Sequence, residues 1–134
     1  MKELTARIIG AAIEVHQALG PGLLESAYEE CLAHEMKLRG LSFMRQVPLP
    51  VAYKGVNLDC AYRLDFLVAE TVVLELKAVD ALLPIHTAQV LTYLKLGGWT
   101  LGLLLNFNVP ILRNGIRRVV LNYNESSAPS ASLR

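Results

Sequence analysis

The stretch from Arg63 to Lys77, Arg-Leu-Asp-Phe-Leu-Val-Ala-Glu-Thr-Val-Val-Leu-Glu-Leu-Lys, restricts the possible folds of this chain more than any other segment. It consists of two apolar runs separated by the polar triplet Ala69-Glu70-Thr71, the pattern of a β-hairpin. Alternate residues of a strand share a face. Glu75 and Lys77 therefore point one way, while Val72, Leu74 and Leu76 form an opposite face that can be wholly buried. A hairpin symmetric about Glu70 sets Asp65 directly across from Glu75. Side chains so opposed have Cβ atoms about 5 Å apart, and like charges there repel. Two carboxylates in an apolar sheet need a cation or a shared proton. A hard divalent metal with oxygen ligands meets that need, and Lys77 adds positive charge on the same side. The competing reading is a cross-strand salt-bridge cluster, since structural ion pairs mimic active sites.

The rest of the chain supplies a frame for this hairpin. Glu3 to Leu19 reads as an amphipathic helix with Leu4, Ile8, Ala11, Ala12, Val15 and Leu19 on one face. Leu19-Gly20-Pro21-Gly22 stops it. His16 borders the apolar stripe; a partly buried histidine bonded to backbone is the first reading, and indirect support of a site the second. A second helix runs from about Leu23 to Arg39, with Leu24, Tyr28, Cys31, Leu32 and Leu38 as its buried face and Gly40 as its stop. Glu25 sits at the border of that face. A glutamate in a first helical turn also complements the helix dipole. Glu35 projects into the middle of the expected face and needs a partner there, Arg63 or Arg45, which makes it structural first and a ligand second.

From Leu41 to Cys60 the pattern is strand, with Phe43, Val47, Leu49, Val51 and Tyr53 at odd positions. Pro48 and Pro50 mark an edge strand, and Lys54-Gly55 marks a tight turn. A third helix begins near Pro84 and is apolar on most sides through Ile85, Val90, Leu91, Leu94 and Leu96. His86, Gln89 and Tyr93 form a polar stripe along it, one wall of a cleft if it lies beside Asp65 and Glu75. Trp99 to Phe107 reads as a central strand covered on both faces, and Ile116 to Leu121 as the last strand. The crossover through the third helix predicts that Leu101–Leu105 runs parallel to Leu74–Lys77.

Composition narrows the classes. With 134 residues, 53% of them hydrophobic, the chain reads as a single domain over residues 1–123 with a flexible, Ser/Ala-rich tail at 124–134. No apolar run is long enough to cross a bilayer, and Met1-Lys2-Glu3 does not open a signal peptide. Cys31 and Cys60 lack metal-ligand spacing and read as reduced thiols, so the expected location is cytoplasmic. The formal charge of +1 leaves no basic surplus for holding phosphates. A nucleic-acid track must come from local clustering, with Arg63, Lys95 and Arg45 as the candidates.

Asp65 followed by Glu75-Leu76-Lys77 resembles the active-site signature of the PD-(D/E)xK nuclease superfamily. Gly22-Leu23-Leu24-Glu25-Ser26-Ala27-Tyr28 matches the pattern that names the GxxExxY protein family, a branch of that superfamily. Further matches are Val15-His16, Leu19-Gly20-Pro21-Gly22, Tyr53-Lys54-Gly55, and Gln89 with Tyr93, the last also similar to a motif of RecB-type members. The resemblance runs from about Ile8 to Val120. Leu64 stands where the superfamily's proline would precede the aspartate, a position that supplies no chemistry. The resemblance implies an α/β, restriction-endonuclease-like core with a central mixed β-sheet flanked by helices. It implies that Asp65, Glu75 and the Leu76 carbonyl hold Mg2+ or Mn2+, with Glu25 helping directly or through water. Glu25, Asp65, Glu75, Lys77 and Gln89 would be catalytic, and Tyr28, Tyr93, His86 and Arg63 would position substrate. The implied reaction is hydrolysis of phosphodiester bonds in DNA or RNA. A second reading, supported by the near-neutral charge, is a non-cleaving module that binds nucleic acid or protein. A third, supported by the small size, is a homodimeric regulatory subunit of a larger nuclease system.

Overall fold

The computed structural model describes residues 1–121; the tail expected at 124–134 lies outside them. Two helices come first, α1 at Lys2–Leu19 and α2 at Glu25–Leu38. Five strands form the main sheet: β1 Phe43–Pro48, β4 Arg63–Val68, β5 Val72–Lys77, β6 Leu101–Asn106 and β7 Ile116–Val120. Their order is β1-β4-β5-β6-β7. A separate two-stranded hairpin, β2 Val51–Tyr53 and β3 Val56–Leu58, turns at Lys54-Gly55 and stands apart from the main sheet. β1 is an edge strand, as Pro48 predicts. The helix α3, Pro84–Gly97, links β5 to β6, and that pair is parallel while every other pairing is antiparallel. Among the described residues no helix is long and apolar enough to cross a membrane.

The sheet is packed on both faces. On one face α1 sets Ile8, Ala11, Ala12 and Val15, and α2 sets Tyr28, Leu32 and Met36, against Phe66, Leu74, Leu76, Leu103 and Leu105. On the other, Val90 and Leu94 of α3 pack with Leu67, Val73 and Leu104. Burying each such aliphatic side chain stabilises the fold by roughly 1.5–3 kcal/mol. Gly102 permits the close approach of α3, because a Cβ there would come within 2.7 Å of the Val90 side chain.

Three expectations about faces require correction. The buried stripe of α2 is Tyr28, Leu32, Ala33 and Met36, whereas Leu24, Cys31 and Leu38 are exposed. Leu24 precedes the helix, and the i, i+4, i+8 row from Tyr28 is the one that meets the sheet. Glu35 therefore does not sit in the apolar face; it pairs with Arg39 one turn on, at 2.7 Å, and not with Arg63 or Arg45. The helix α3 buries only Val90 and Leu94 fully, while Ile85 is exposed, because its outer side has nothing above it among the described residues.

The third correction concerns β1. Phe43 packs on the α1/α2 side, but Val47 and Leu49 pack on the α3 side, although all three are odd-numbered. Phe66 and Leu64 of β4 divide in the same way. The change occurs at Gln46, whose φ of 51° lies in the left-handed region, and at its neighbour across the pairing, Asp65. The β1–β4 ribbon thus exchanges faces at Gln46 and Asp65.

Candidate active site

The β4–β5 register is the one the symmetric hairpin predicts. Val68 faces Val72, Leu67 faces Val73, and Phe66 faces Leu74, all symmetric about Glu70. The turn residues Ala69 and Glu70 both take positive φ. Beyond Phe66 and Leu74 the regular ladder stops. The backbone N–H of Asp65 donates instead to Glu75 Oε2 at 3.0 Å, and the N–H of Leu76 donates to Asp65 Oδ2 at 2.8 Å. Each carboxylate satisfies a backbone donor of the opposite strand, so the strands part without leaving buried N–H groups unpaired.

The resulting notch is electrostatically stressed. Glu75 is only 7% exposed. Burial pushes its carboxyl up to about 8, with the negative charge of Asp65 adding to the rise and the Asp65 N–H and Lys77 opposing it. Burial likewise raises Asp65 to about 6; its bond from the Leu76 N–H opposes the rise, Glu25 and Glu29 add to it, and Lys77 opposes it. Glu25, exposed in the first turn of α2, is itself raised by the neighbouring protein displacing part of its water, with Lys77 pulling the other way and Glu29 adding to the rise. Asp65, Glu75, Glu25 and Lys77 therefore form one electrostatic group.

Lys77 makes no ion pair within 4.0 Å with either acid: the ion pairs among the described residues are Arg39–Glu35, Arg45–Glu29 and Arg45–Glu30. The cross-strand salt-bridge cluster is therefore not formed, and backbone N–H groups hold the carboxylates instead. Each acid accepts through one oxygen, which leaves Asp65 Oδ1 and Glu75 Oε1 outside these bonds. No group of three or more His, Cys, Asp or Glu side chains among the described residues is placed to hold a metal ion. A donor set of two carboxylates still fits magnesium, which takes one or two protein carboxylates and completes its shell with water and phosphate oxygens.

Residues 2–119 match the family model described as the PD-(D/E)XK nuclease superfamily. The chain belongs to that superfamily. No curated protein and no solved structure matches it. The five-stranded mixed sheet with helices on both faces is the restriction-endonuclease-like α/β architecture of PD-(D/E)XK nucleases.

Within this superfamily frame, the Gly22–Tyr28 segment has a mechanical role. Tyr28 is fully buried and stacked on Phe107 with ring centroids 4.6 Å apart. Its hydroxyl donates to the Gly20 carbonyl at 2.6 Å and accepts from the Leu23 N–H at 3.1 Å. The Gly22 N–H donates to Asn108 Oδ1, and the φ of 97° at Gly22 favours a residue without a Cβ. These bonds fix the turn from which α2 starts, and with it Glu25. Tyr28 is thus a turn clamp in the core.

Other expected site residues divide in the same manner. Tyr93 lies near the acids: burial raises its hydroxyl, and the charges of Glu75 and Asp65 contribute to the rise. Gln89 is exposed, one turn before Tyr93 on the same stripe. His86 is turned back instead, its Nδ1 accepting from the Leu83 N–H at 2.9 Å to cap α3. His16 has its Nε2 hydrogen-bonded to the Val109 carbonyl at 2.8 Å, so it ties α1 to the loop after β6. It borders a groove of about 700 Å³ shared with Ile13, Ile111 and Arg113, which contains none of the acids.

The expected cation track also shrinks. Arg45 bonds Glu29 at 3.1 Å and Glu30 at 2.8 Å and lies over the Phe66 ring. Lys95 follows Tyr93 by two residues, about 200° around the helix and away from the notch. Arg63 is exposed at the start of β4.

Three residues escaped the sequence reading. Glu29 adds negative charge to the notch, and its spacing of four from Glu25 was the available signal. Tyr62 packs on Tyr93 with ring centroids 6.0 Å apart. Asn106, only 2% exposed, accepts from the N–H groups of Val79 and Asn108 and donates to the Val79 carbonyl. It pairs with Lys77 across β5–β6 and holds the loop that leaves Lys77. A lone polar residue at the end of an apolar strand was its signal.

Proposed function

We propose that this chain is a metal-dependent nuclease of the GxxExxY branch, a single cytoplasmic domain that hydrolyses phosphodiester bonds in DNA or RNA. The observation that carries the reading is the reciprocal hydrogen bonding at Asp65 and Glu75, which keeps a half-buried and a buried carboxylate side by side where a strand ladder would otherwise run. Asp65, Glu75 and the Leu76 carbonyl would hold magnesium or manganese, with Glu25 joining directly or through water. A divalent cation there would lower the pKa of a water molecule and offset charge on a phosphate oxygen. Lys77, free of ion pairs among the described residues, orients the attacking water and offsets the developing negative charge. Gln89 and Tyr93 hold the substrate strand or the Lys77 ammonium from the α3 side, and Arg63 meets a phosphate. Because burial raises both acids, the metal-free notch retains a proton near neutral pH, and cation binding releases it.

A cleavage assay on single- and double-stranded DNA and RNA, with magnesium, manganese or a chelator, tests the proposal. Metal-dependent cleavage by the wild type, lost in Lys77→Ala and Glu75→Gln, is the expected result. No cleavage of any substrate, together with a melting temperature indifferent to both metals, overturns it.

The commitment of Arg45 to Glu29 and Glu30 favours a second reading, the non-cleaving module or homodimeric regulatory subunit. That reading predicts binding without cleavage in the same assay, or a dimer on a sizing column that binds no nucleic acid.

A further inference from the structure

The chain presents an exposed aromatic ring three residues before Asp65, next to a tyrosine that senses both acids. Tyr62 is 43% exposed and precedes β4 by one residue. Its carbonyl accepts from the Leu49 N–H at 2.9 Å, which fixes its backbone. Its ring meets that of Tyr93 at 57° with centroids 6.0 Å apart, and the Tyr93 hydroxyl feels the charges of both Glu75 and Asp65. Neither hydroxyl bonds another side chain or backbone group among the described residues, whereas the buried Tyr28 hydroxyl makes two such bonds.

Cations available to phosphates are correspondingly few. The chain has a net charge of +1, Arg45 is neutralised by two glutamates, and Lys95 points away. Lys77 remains close enough to the acids to act on both, and Arg63 is exposed at the start of β4. Proteins that hold duplex DNA neutralise many phosphates. Proteins that hold single strands can replace much of that contact by stacking bases on aromatic rings.

We infer that Tyr62, backed by Tyr93, is a stacking platform for an unpaired base, and that the substrate strand reaches Asp65 and Glu75 single-stranded or locally unpaired. Its cleavage arm rests on the nuclease reading, but its binding arm does not.

The test uses a fluorescein-labelled single-stranded oligonucleotide of mixed sequence, as DNA and as RNA, and each strand annealed to its complement. Cleavage is followed in manganese, and binding by fluorescence anisotropy in magnesium. Wild type should cleave and bind the single strand at least about ten-fold better than the duplex. Tyr62→Ala should raise KM and Kd for the single strand by about ten-fold with kcat nearly unchanged, while Tyr62→Phe should keep the wild-type values. Tyr62→Leu, which preserves apolar bulk without a π-face, should follow Tyr62→Ala and so separates stacking from packing. The preferred nucleic acid, DNA or RNA, is read from the two sugar arms. A duplex cleaved or bound as well as the single strand overturns the inference, as does a Tyr62→Ala variant indistinguishable from Tyr62→Phe. If wild type cleaves neither strand and neither metal shifts its melting temperature, the nuclease reading fails, and the anisotropy comparison still decides the stacking inference.

Discussion

From Val68 and Val72 to Phe66 and Leu74, the β4–β5 hairpin is a regular antiparallel ladder whose six residues are all buried. At Asp65 and Glu75 the same two strands exchange ladder bonds for side chain–backbone bonds. Both halves satisfy their backbone donors, but with different partners. The ladder half gains from apolar burial on two faces. The open half holds like charges in a medium that raises both acids. Substitutions in the first half should therefore change stability, and those in the second should change chemistry.

The largest effect is expected at Lys77. Lys77→Ala should lower the cleavage rate by roughly 10²–10³-fold, the scale for removing a group that stabilises developing charge. With metal bound, its melting temperature should fall only slightly, because Lys77 makes no ion pair among the described residues and the cation takes over its attraction for the acids. Single-turnover kinetics beside a thermal melt checks both parts; a fall in stability with cleavage intact would return Lys77 to a structural role. In the ladder half, Leu74→Ala removes a fully buried side chain and should destabilise by about 2–5 kcal/mol in urea titration. Cleavage per folded molecule should be unchanged. Equal sensitivity of stability at both positions would erase the distinction between the halves.

A smaller effect is expected at the turn clamp. Tyr28→Phe keeps the stack on Phe107 but removes the hydroxyl that bridges Gly20 and Leu23, and should cost about 1–3 kcal/mol. If the clamp sets Glu25, metal affinity should weaken as well, which calorimetric titration with manganese can read. The smallest effect is expected at Arg45. Arg45→Ala breaks a largely surface pair with Glu30 and a less exposed one with Glu29, and should change stability by no more than about 1 kcal/mol. It should also leave nucleic-acid affinity and its salt dependence unaltered. A shallower salt slope in Arg45→Ala would place a phosphate on Arg45 and contradict its commitment to the two glutamates.

The hairpin, its register and the parallel β5–β6 pair were legible because apolar alternation, a polar turn and a helical crossover leave few alternatives. The face exchange at Gln46 and Asp65 was not. Glutamine at positive φ has no compositional signature, and the alternation of odd residues runs smoothly through it. The faces of α2 were misread because Leu24 and Leu38 have the right chemistry but sit at or beyond the helix ends, while Ala33 and Met36 meet the sheet. Of the candidate site, Asp65, Glu75 and Lys77 followed from strand periodicity, and Glu25 from the resemblance. His16 is the partly buried, backbone-bonded histidine that its place beside the apolar stripe suggests, while Tyr28 and His86, expected to position substrate, are each bonded to a nearby backbone group. Such commitments depend on loop paths that a linear pattern does not contain.

The central claim is that Asp65 and Glu75 form a strained pair relieved by a cation. Its most direct measurement is the melting temperature of wild type and Glu75→Gln across pH, with chelator and with magnesium or manganese. Folding raises Asp65 from 3.8 to about 6 and Glu75 from 4.5 to about 8. The folded state therefore binds these protons more tightly than the unfolded state, and metal-free stability is lost as pH rises through that window. In chelator, wild type should melt progressively lower between pH 4.5 and 8, and at the upper end either metal should restore the loss by mass action. Glu75→Gln should show a flatter profile, melt no lower than metal-free wild type at pH 8, and respond little to metal. A metal-free wild type whose stability is flat or rises over that range, and which neither metal stabilises, would contradict the account.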